Sequence, residues 1–153
     1  MKITLRIWRQ INSTQSGFYE RHELNEVSPN LSILEVLDQL NERLIIAGER
    51  PINFEHDCRE GICGSCGFLV NGQAHGPRAA TSVCQLYLRA FTDGAVLTLD
   101  PWRANSFPLI QDLMVNRSAM DRLIAAGGYC STGTGQAPDG NAMPVGRELA
   151  TSA

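Results

Sequence analysis

The chain opens on an alternation of apolar and polar residues. Ile3, Leu5 and Ile7 are separated by Thr4 and Arg6, the period of a strand with one face in a core. The polar stretch "STQSG" at 13–17 breaks the pattern as a turn, and "GFYERHELNEV" at 17–27 resumes it as a second strand of a hairpin. The period then lengthens. In "SILEVLDQLNERLI" at 32–45, Ile33, Leu34, Leu37, Leu40 and Leu44 share one helical face. Ser32 is placed to cap that helix, with Glu35 completing a capping box, and Gly48 and Pro51 stop it. A glycine-rich loop occupies 58–66. "GFLVNGQAHG" at 67–76 reads as a hairpin turning at Asn71-Gly72. "CQLYLRAF" begins at Cys84, and "AVLTLDPW" at 95–102 is a further strand after an Asp93-Gly94 turn. Two strands, a helix, a cysteine loop and more strands predict an α+β domain, with one helix packed across a curled sheet.

The pattern changes after about residue 104. We read 1–104 as the domain and 105–153 as a linker followed by the start of something else. "FPLIQDLMVNRSAMDRLIAAGG" at 107–128 predicts a linker and a helix, with Ser118 as N-cap and Gly127-Gly128 as the stop. From 131 onward Gly, Pro, Ser and Thr dominate, and too few apolar residues are present to build a core. At 153 residues and 43% apolar content the chain suits one domain with a tail, or one domain and the start of another. A net charge of −3 offers no basic field for nucleic acid. "MKITLRIWRQ" lacks the apolar run of a signal peptide, and the longest apolar run, "LIIA" at 44–47, is too short to span a bilayer. The expectation is a chain soluble by itself that could dock on a membrane protein.

Candidate chemistry lies in the cysteines. Cys58, Cys63 and Cys66 form C-x4-C-x2-C, and Cys84 follows after 17 intervening residues. With no secretory signal, a disulfide framework is disfavoured and metal or redox chemistry favoured. A [2Fe–2S] cluster takes four thiolates, two on each iron, and its plant-type spacing is C-x4-C-x2-C…C. Bound iron keeps the thiols deprotonated. Gly61, Gly64 and Ser65 leave room for backbone N–H groups to approach the sulfurs, and such donors favour the reduced, more negative state. Arg59 adds to that effect, whereas Glu55, Asp57 and Glu60 oppose it. Structural zinc is the rival reading; its sites usually combine C-x2-C pairs with further Cys or His ligands. Cys130 stands alone and reads as a spectator thiol. His56 reads as an outer or surface residue, because histidine ligation of the Rieske kind needs two. Trp8 and Trp102 read as core or contact residues.

These residues resemble the iron–sulfur subunit of succinate dehydrogenase and fumarate reductase. The likeness extends from "CREGICGSCGFLVNG" through "HGPRAATSVCQLYLRAFTDG" at 75–94 and "FPLIQDLMVNRSAMDRLI" at 107–124 to "GGYCSTGTGQAPDGNAMPV" at 127–145. It implies a β-grasp, ferredoxin-like [2Fe–2S] domain with Cys58, Cys63, Cys66 and Cys84 as ligands. It further implies a linker and helix leading to an α-helical ferredoxin domain with [4Fe–4S] and [3Fe–4S] clusters on C-x2-C-x2-C-x3-C-P motifs. No such motif occurs up to Ala153, so the expectation is a fragment of a longer subunit. The resemblance also implies an FAD-containing flavoprotein partner, a membrane-anchor partner through the second domain, and a peripheral place on the cytoplasmic face of a bacterial inner membrane. Such a chain binds no substrate; it carries single electrons from FAD toward quinone. Two alternatives stand beside it. A free-standing soluble [2Fe–2S] ferredoxin has no need of 107–153. The small subunit of a molybdenum hydroxylase carries a second cysteine quartet, where this chain has only Cys130 after Cys84.

Overall fold

The computed structural model describes residues 1–126. Two compact units are present, one from Met1 to Asn116 and one beginning at Arg117. Cys130, the Gly127-Gly128 stop and the tail from 131 lie outside the described residues.

In the first unit the alternation at the N-terminus becomes β1 (Ile3–Arg9), paired antiparallel with β2 (Phe18–Leu24) in the register Ile3 to Leu24 through Arg9 to Phe18. The predicted helix is α1 (Ile33–Ile46). Ser32 Oγ accepts from Glu35 N–H while the Glu35 carboxylate accepts from Ser32 N–H at 2.6 Å, so the capping box forms as read. The Asn71-Gly72 turn, with both residues at positive φ, joins β3 (Leu69–Val70) to β4 (Gln73–Ala74). β5 (Val96–Asp100) runs parallel to β1 and antiparallel to β3. The sheet order is β2-β1-β5-β3-β4. A mixed sheet with one helix across it is the α+β, β-grasp arrangement expected.

Period and burial agree. Ile3, Leu5 and Ile7 of β1 and Leu97 and Leu99 of β5 are fully buried, against Ile33, Leu34, Val36, Leu37, Leu40 and Leu44 of α1. Each such side chain contributes roughly 1.5–3 kcal/mol by leaving water. The connection from β4 to β5 contains two short 3₁₀ turns, Val83–Gln85 and Leu88–Ala90. It is stitched to the start of α1: Ile33 N–H donates to Leu86 O (2.9 Å) and Leu88 N–H to Leu31 O (2.9 Å). That stitching fixes where Cys84 stands.

The compact unit continues beyond residue 104. Leu109–Gln111 and Met114–Val115 form a small antiparallel hairpin, β6 and β7, within the stretch read from sequence as linker. Its turn points inward. Asp112, at φ 49°, is fully buried. Its carboxylate accepts from Gln10 N–H (2.8 Å), Asn53 N–H (3.1 Å) and both terminal nitrogens of Arg50 (3.1 and 3.0 Å), with Arg9 Nε at 3.7 Å. Asp112 N–H donates to Gln10 O and Leu113 N–H to Asn53 O. Burial pushes the Arg9 pKa down, and the neighbouring Asp112 carboxylate works against that shift. Asp112 thus anchors the hairpin to β1 and to the segment just before the cysteine loop.

In the second unit, α2 (Ser118–Ala126) begins at Ser118 itself. The cap position falls one residue earlier than read, because Arg117 O accepts from Met120 N–H and Asp121 N–H. Ser118 Oγ instead accepts from Arg122, one turn later. Among the described residues no helix is long and apolar enough to cross a membrane.

Candidate iron–sulfur site

The loop from Cys58 to Cys66 contains no regular element, and its shape comes from left-handed backbone. Arg59 (φ 57°), Gly61 (φ 77°) and Gly64 (φ 70°) all lie at positive φ. Gly61 is doubly required: a Cβ there would sit 3.0 Å from Gln85 Cγ and 3.3 Å from Ser82 Oγ. At Gly64 a Cβ would meet open space, so its role is conformational alone. The loop curls around the first sulfur. Cys58 Sγ accepts from the backbone N–H groups of Glu60 (3.3 Å), Ile62 (3.4 Å) and Cys63 (3.3 Å). Two of these donors, Glu60 and Ile62, flank Gly61.

The four thiols fall into two pairs. Cys58 and Cys63 lie together on the outer side, half-buried and exposed respectively. Cys66 and Cys84 lie together on the inner side, only 4% and 5% exposed. Their environments diverge accordingly. The Cys63 thiol is pulled down to about 6, chiefly by the Ser65 hydroxyl at 3.1 Å, then by the Ser65 backbone and the contacts with Cys58. Burial pushes the Cys66 thiol up, partly offset by backbone donors. Ser82 Oγ stands 3.1 Å from Cys84 Sγ. Among the described residues no three His, Cys, Asp or Glu side chains close on one point. Two pairs of sulfur donors match a group with two metal centres, each taking two thiolates.

The remaining candidates are placed as follows. The Arg59 guanidinium forms a bidentate ion pair with Asp38 on α1, and it touches His56 Nε2 at 3.1 Å. The hydrogen bond to Asp38 raises the Arg59 pKa. Cys84 acts on Arg59 in the same direction; the Asp38 pair also anchors the loop, and Gln85 Nε2 secures the Arg59 carbonyl at 2.9 Å. Ser65 acts through its hydroxyl as well as its small size. His56 is exposed beside Phe54. Trp102 packs with His75 over the backbone of Gly67, next to Cys66. Trp8 packs against Tyr19 and Arg103. A cavity of about 150 Å³ opens beside Cys84, lined by Ser32, Glu35, Arg59, Gln85 and Tyr87 among others. Ser82 was not legible as a site residue; its position two residues before a cysteine, the mirror of Ser65 two residues after Cys63, was the available signal.

Comparison with known proteins follows this geometry. A family model described as "2Fe-2S iron-sulfur cluster binding domain" matches residues 4–122. The fumarate reductase iron-sulfur subunit of Wolinella succinogenes is 33% identical over 116 residues, covering 74% of this chain and 43% of that protein. The succinate dehydrogenase iron-sulfur subunit of Bacillus subtilis is 27% identical over 117 residues, covering 74% and 42%. The chain therefore spans less than half the length of these relatives. A chain in the solved structure of the Mycobacterium smegmatis Sdh1 complex in the apo form shares the fold. Its TM-score is 0.65 at 22% identity, over 96% of this chain and 54% of that one.

Proposed function

Because the chain belongs to the family of 2Fe-2S iron-sulfur cluster binding domains, we propose that it is the cluster-bearing N-terminal part of an electron-transfer subunit of the succinate dehydrogenase and fumarate reductase type. The observation that carries this reading is the division of the four thiols into an outer pair, half-buried and exposed, and a buried pair that joins the preshaped loop to the Val83–Gln85 turn. Cys58 and Cys63 would hold one iron, and Cys66 and Cys84 the other. When bound, a [2Fe–2S] group accepts and returns one electron at a time.

The protein's part is placement. The N–H groups of Glu60, Ile62 and Cys63 face Cys58 and favour added negative charge there. The Ser65 hydroxyl and backbone and the Cys58 contacts lower the Cys63 pKa, which favours the thiolate that metal binding requires. The Arg59–Asp38 pair holds the loop on α1, and the Gln85 contact holds it on the Val83–Gln85 turn. The buried pair keeps water from one side, while the outer pair, with Ile62 at 78% exposure, faces outward. An outward-facing pair supports electron entry from a protein partner, for which we propose an FAD-containing flavoprotein. Electrons would leave toward [4Fe–4S] and [3Fe–4S] centres in a second domain, a membrane-anchor subunit and quinone. The proposed location is peripheral, on the cytoplasmic face of a bacterial inner membrane.

The test is to isolate the protein from its own cells and add succinate anaerobically. Co-purification with a flavoprotein, and appearance of the reduced-cluster EPR signal with succinate, are expected. A cluster-loaded chain that associates with no flavoprotein would overturn the subunit reading in favour of a free-standing carrier.

A further inference from the structure

Two hydroxyls touch the sulfurs, one in each thiol pair. Ser65 Oγ lies 3.1 Å from Cys63 Sγ, and Ser82 Oγ lies 3.1 Å from Cys84 Sγ. Between a hydroxyl and a free thiol either atom can donate. Once a metal has taken the thiol proton, the sulfur can only accept. Both contacts then become O–H to thiolate hydrogen bonds, the charge-assisted kind.

We propose that Ser82 and Ser65 are potential-setting hydrogen-bond donors to the two ends of the cluster, and that Ser82 is the stronger of the two. The proposal rests on the reading that the four cysteines hold a [2Fe–2S] group. Three observations carry it. Ser82 occupies the N-cap position of the Val83–Gln85 turn, yet its side chain makes no capping bond. Its hydroxyl faces Cys84 instead. The close approach of the Gly61 backbone, where a Cβ would come within 3.3 Å of Ser82 Oγ, confines that hydroxyl between the loop and the turn. Finally, Cys84 is 5% exposed whereas Cys63 is exposed. Where water is excluded, a hydrogen bond to a charge is screened less and counts for more.

Reduction adds one electron to the cluster, supplied in the test by dithionite through redox mediators, and part of that charge resides on sulfur. A donor aimed at sulfur therefore holds the reduced state more strongly than the oxidised one and raises the potential. Removing the Ser82 hydroxyl should lower the ratio of reduced to oxidised protein about tenfold at a fixed solution potential, equivalent to about 59 mV for a one-electron couple. Removing the Ser65 hydroxyl, exchanged more readily for water, should lower it less.

The experiment is an EPR-monitored redox titration of the reconstituted full chain and its S82A, S82T and S65A variants, with iron and sulfide content measured first. Expected are full loading of the native chain, the lower potential in S82A, a smaller drop in S65A, and the native value in S82T, which keeps the hydroxyl. In reduced native protein, transfer to D₂O should remove a strongly coupled proton signal that is absent from S82A. A native chain that takes up no [2Fe–2S] cluster overturns the ligand reading, and this proposal with it. Normal loading with an unchanged S82A potential overturns this proposal alone. If S82A fails to load, S82G removes the same hydroxyl without added bulk. Failure of both with full loading of S82T supports a hydroxyl on sulfur; failure of all three marks Ser82 as a packing residue and refutes the proposal.

Discussion

Asp112 is the residue whose removal tests the fold most sharply. It is fully buried, and its two oxygens together accept from two backbone N–H groups and from Arg50, with the 3%-exposed Arg9 alongside. Asp112→Ala removes every acceptor at once. The N–H groups of Gln10 and Asn53 lose their partners, and Arg9 keeps only Glu20 (3.1 Å) and the carbonyls of Arg50 and Pro51. Deleting one member of a buried ion pair costs about 3–5 kcal/mol, with the stranded N–H groups included in that range. Alanine at φ 49° adds about 1 kcal/mol of strain. Against a total stability of roughly 5–15 kcal/mol, the variant should melt about 10–20 °C lower. Arg50→Ala should cost far less, about 1 kcal/mol, because Arg50 is 37% exposed and its loss leaves both backbone donors paired. Urea unfolding of both variants, followed by circular dichroism, measures the two costs. An Asp112→Ala cost below about 1 kcal/mol would refute the anchoring account. Equal costs for the two variants would show that the Arg50 pair, and not the backbone donors, is the main contribution.

Three further outcomes are expected. In the cluster-free protein, Cys63 should be alkylated by iodoacetamide with a midpoint near pH 6, fast above it and slow below it, because only the thiolate reacts; buried Cys66 should resist until well above the ordinary thiol range, and mass mapping of the labelled peptides separates the two. Ser32→Ala should destabilise the first unit by about 1 kcal/mol, read from its denaturation midpoint, through loss of the reciprocal cap with Glu35. Gly61→Ala should reduce cluster content, measured as iron and sulfide per chain, more than it reduces folding stability. Its Cβ meets Gln85 and Ser82, and its φ of 77° disfavours any side chain.

Features carried by local spacing were legible in the sequence. The alternation of Ile3, Leu5 and Ile7, the stripe from Ile33 to Leu44, the Ser32–Glu35 box and the Asn71-Gly72 turn each involve residues a few positions apart, and each formed. The cysteine motif is of the same kind: three of its members lie within nine residues. What stayed hidden depends on distant partners. Asp112 looks like a surface turn residue because its hydrogen-bond partners are 59 to 102 positions away. Arg59 reads as a cationic neighbour of the sulfurs, but its pairing with Asp38, 21 residues earlier, could not be read from the sequence. Ser82 became visible only when the 3₁₀ turn brought its hydroxyl to Cys84 and left the cap position unused. The β6–β7 hairpin was obscured for a related reason: its turn, Asp112-Leu113, lacks the glycine that marks a two-residue hairpin and is stabilised by the core beneath it.

The central claim is that Cys58, Cys63, Cys66 and Cys84 together hold one two-iron cluster. The most direct measurement is the metal and acid-labile sulfide content of the anaerobically purified protein, with the EPR spectrum of its dithionite-reduced form, in native protein and in Cys84→Ala. The account predicts about two irons and two sulfides per chain with a rhombic signal of one unpaired electron, and loss of that cluster in the variant. Stoichiometric zinc without sulfide, or a native cluster signal in Cys84→Ala, would contradict it.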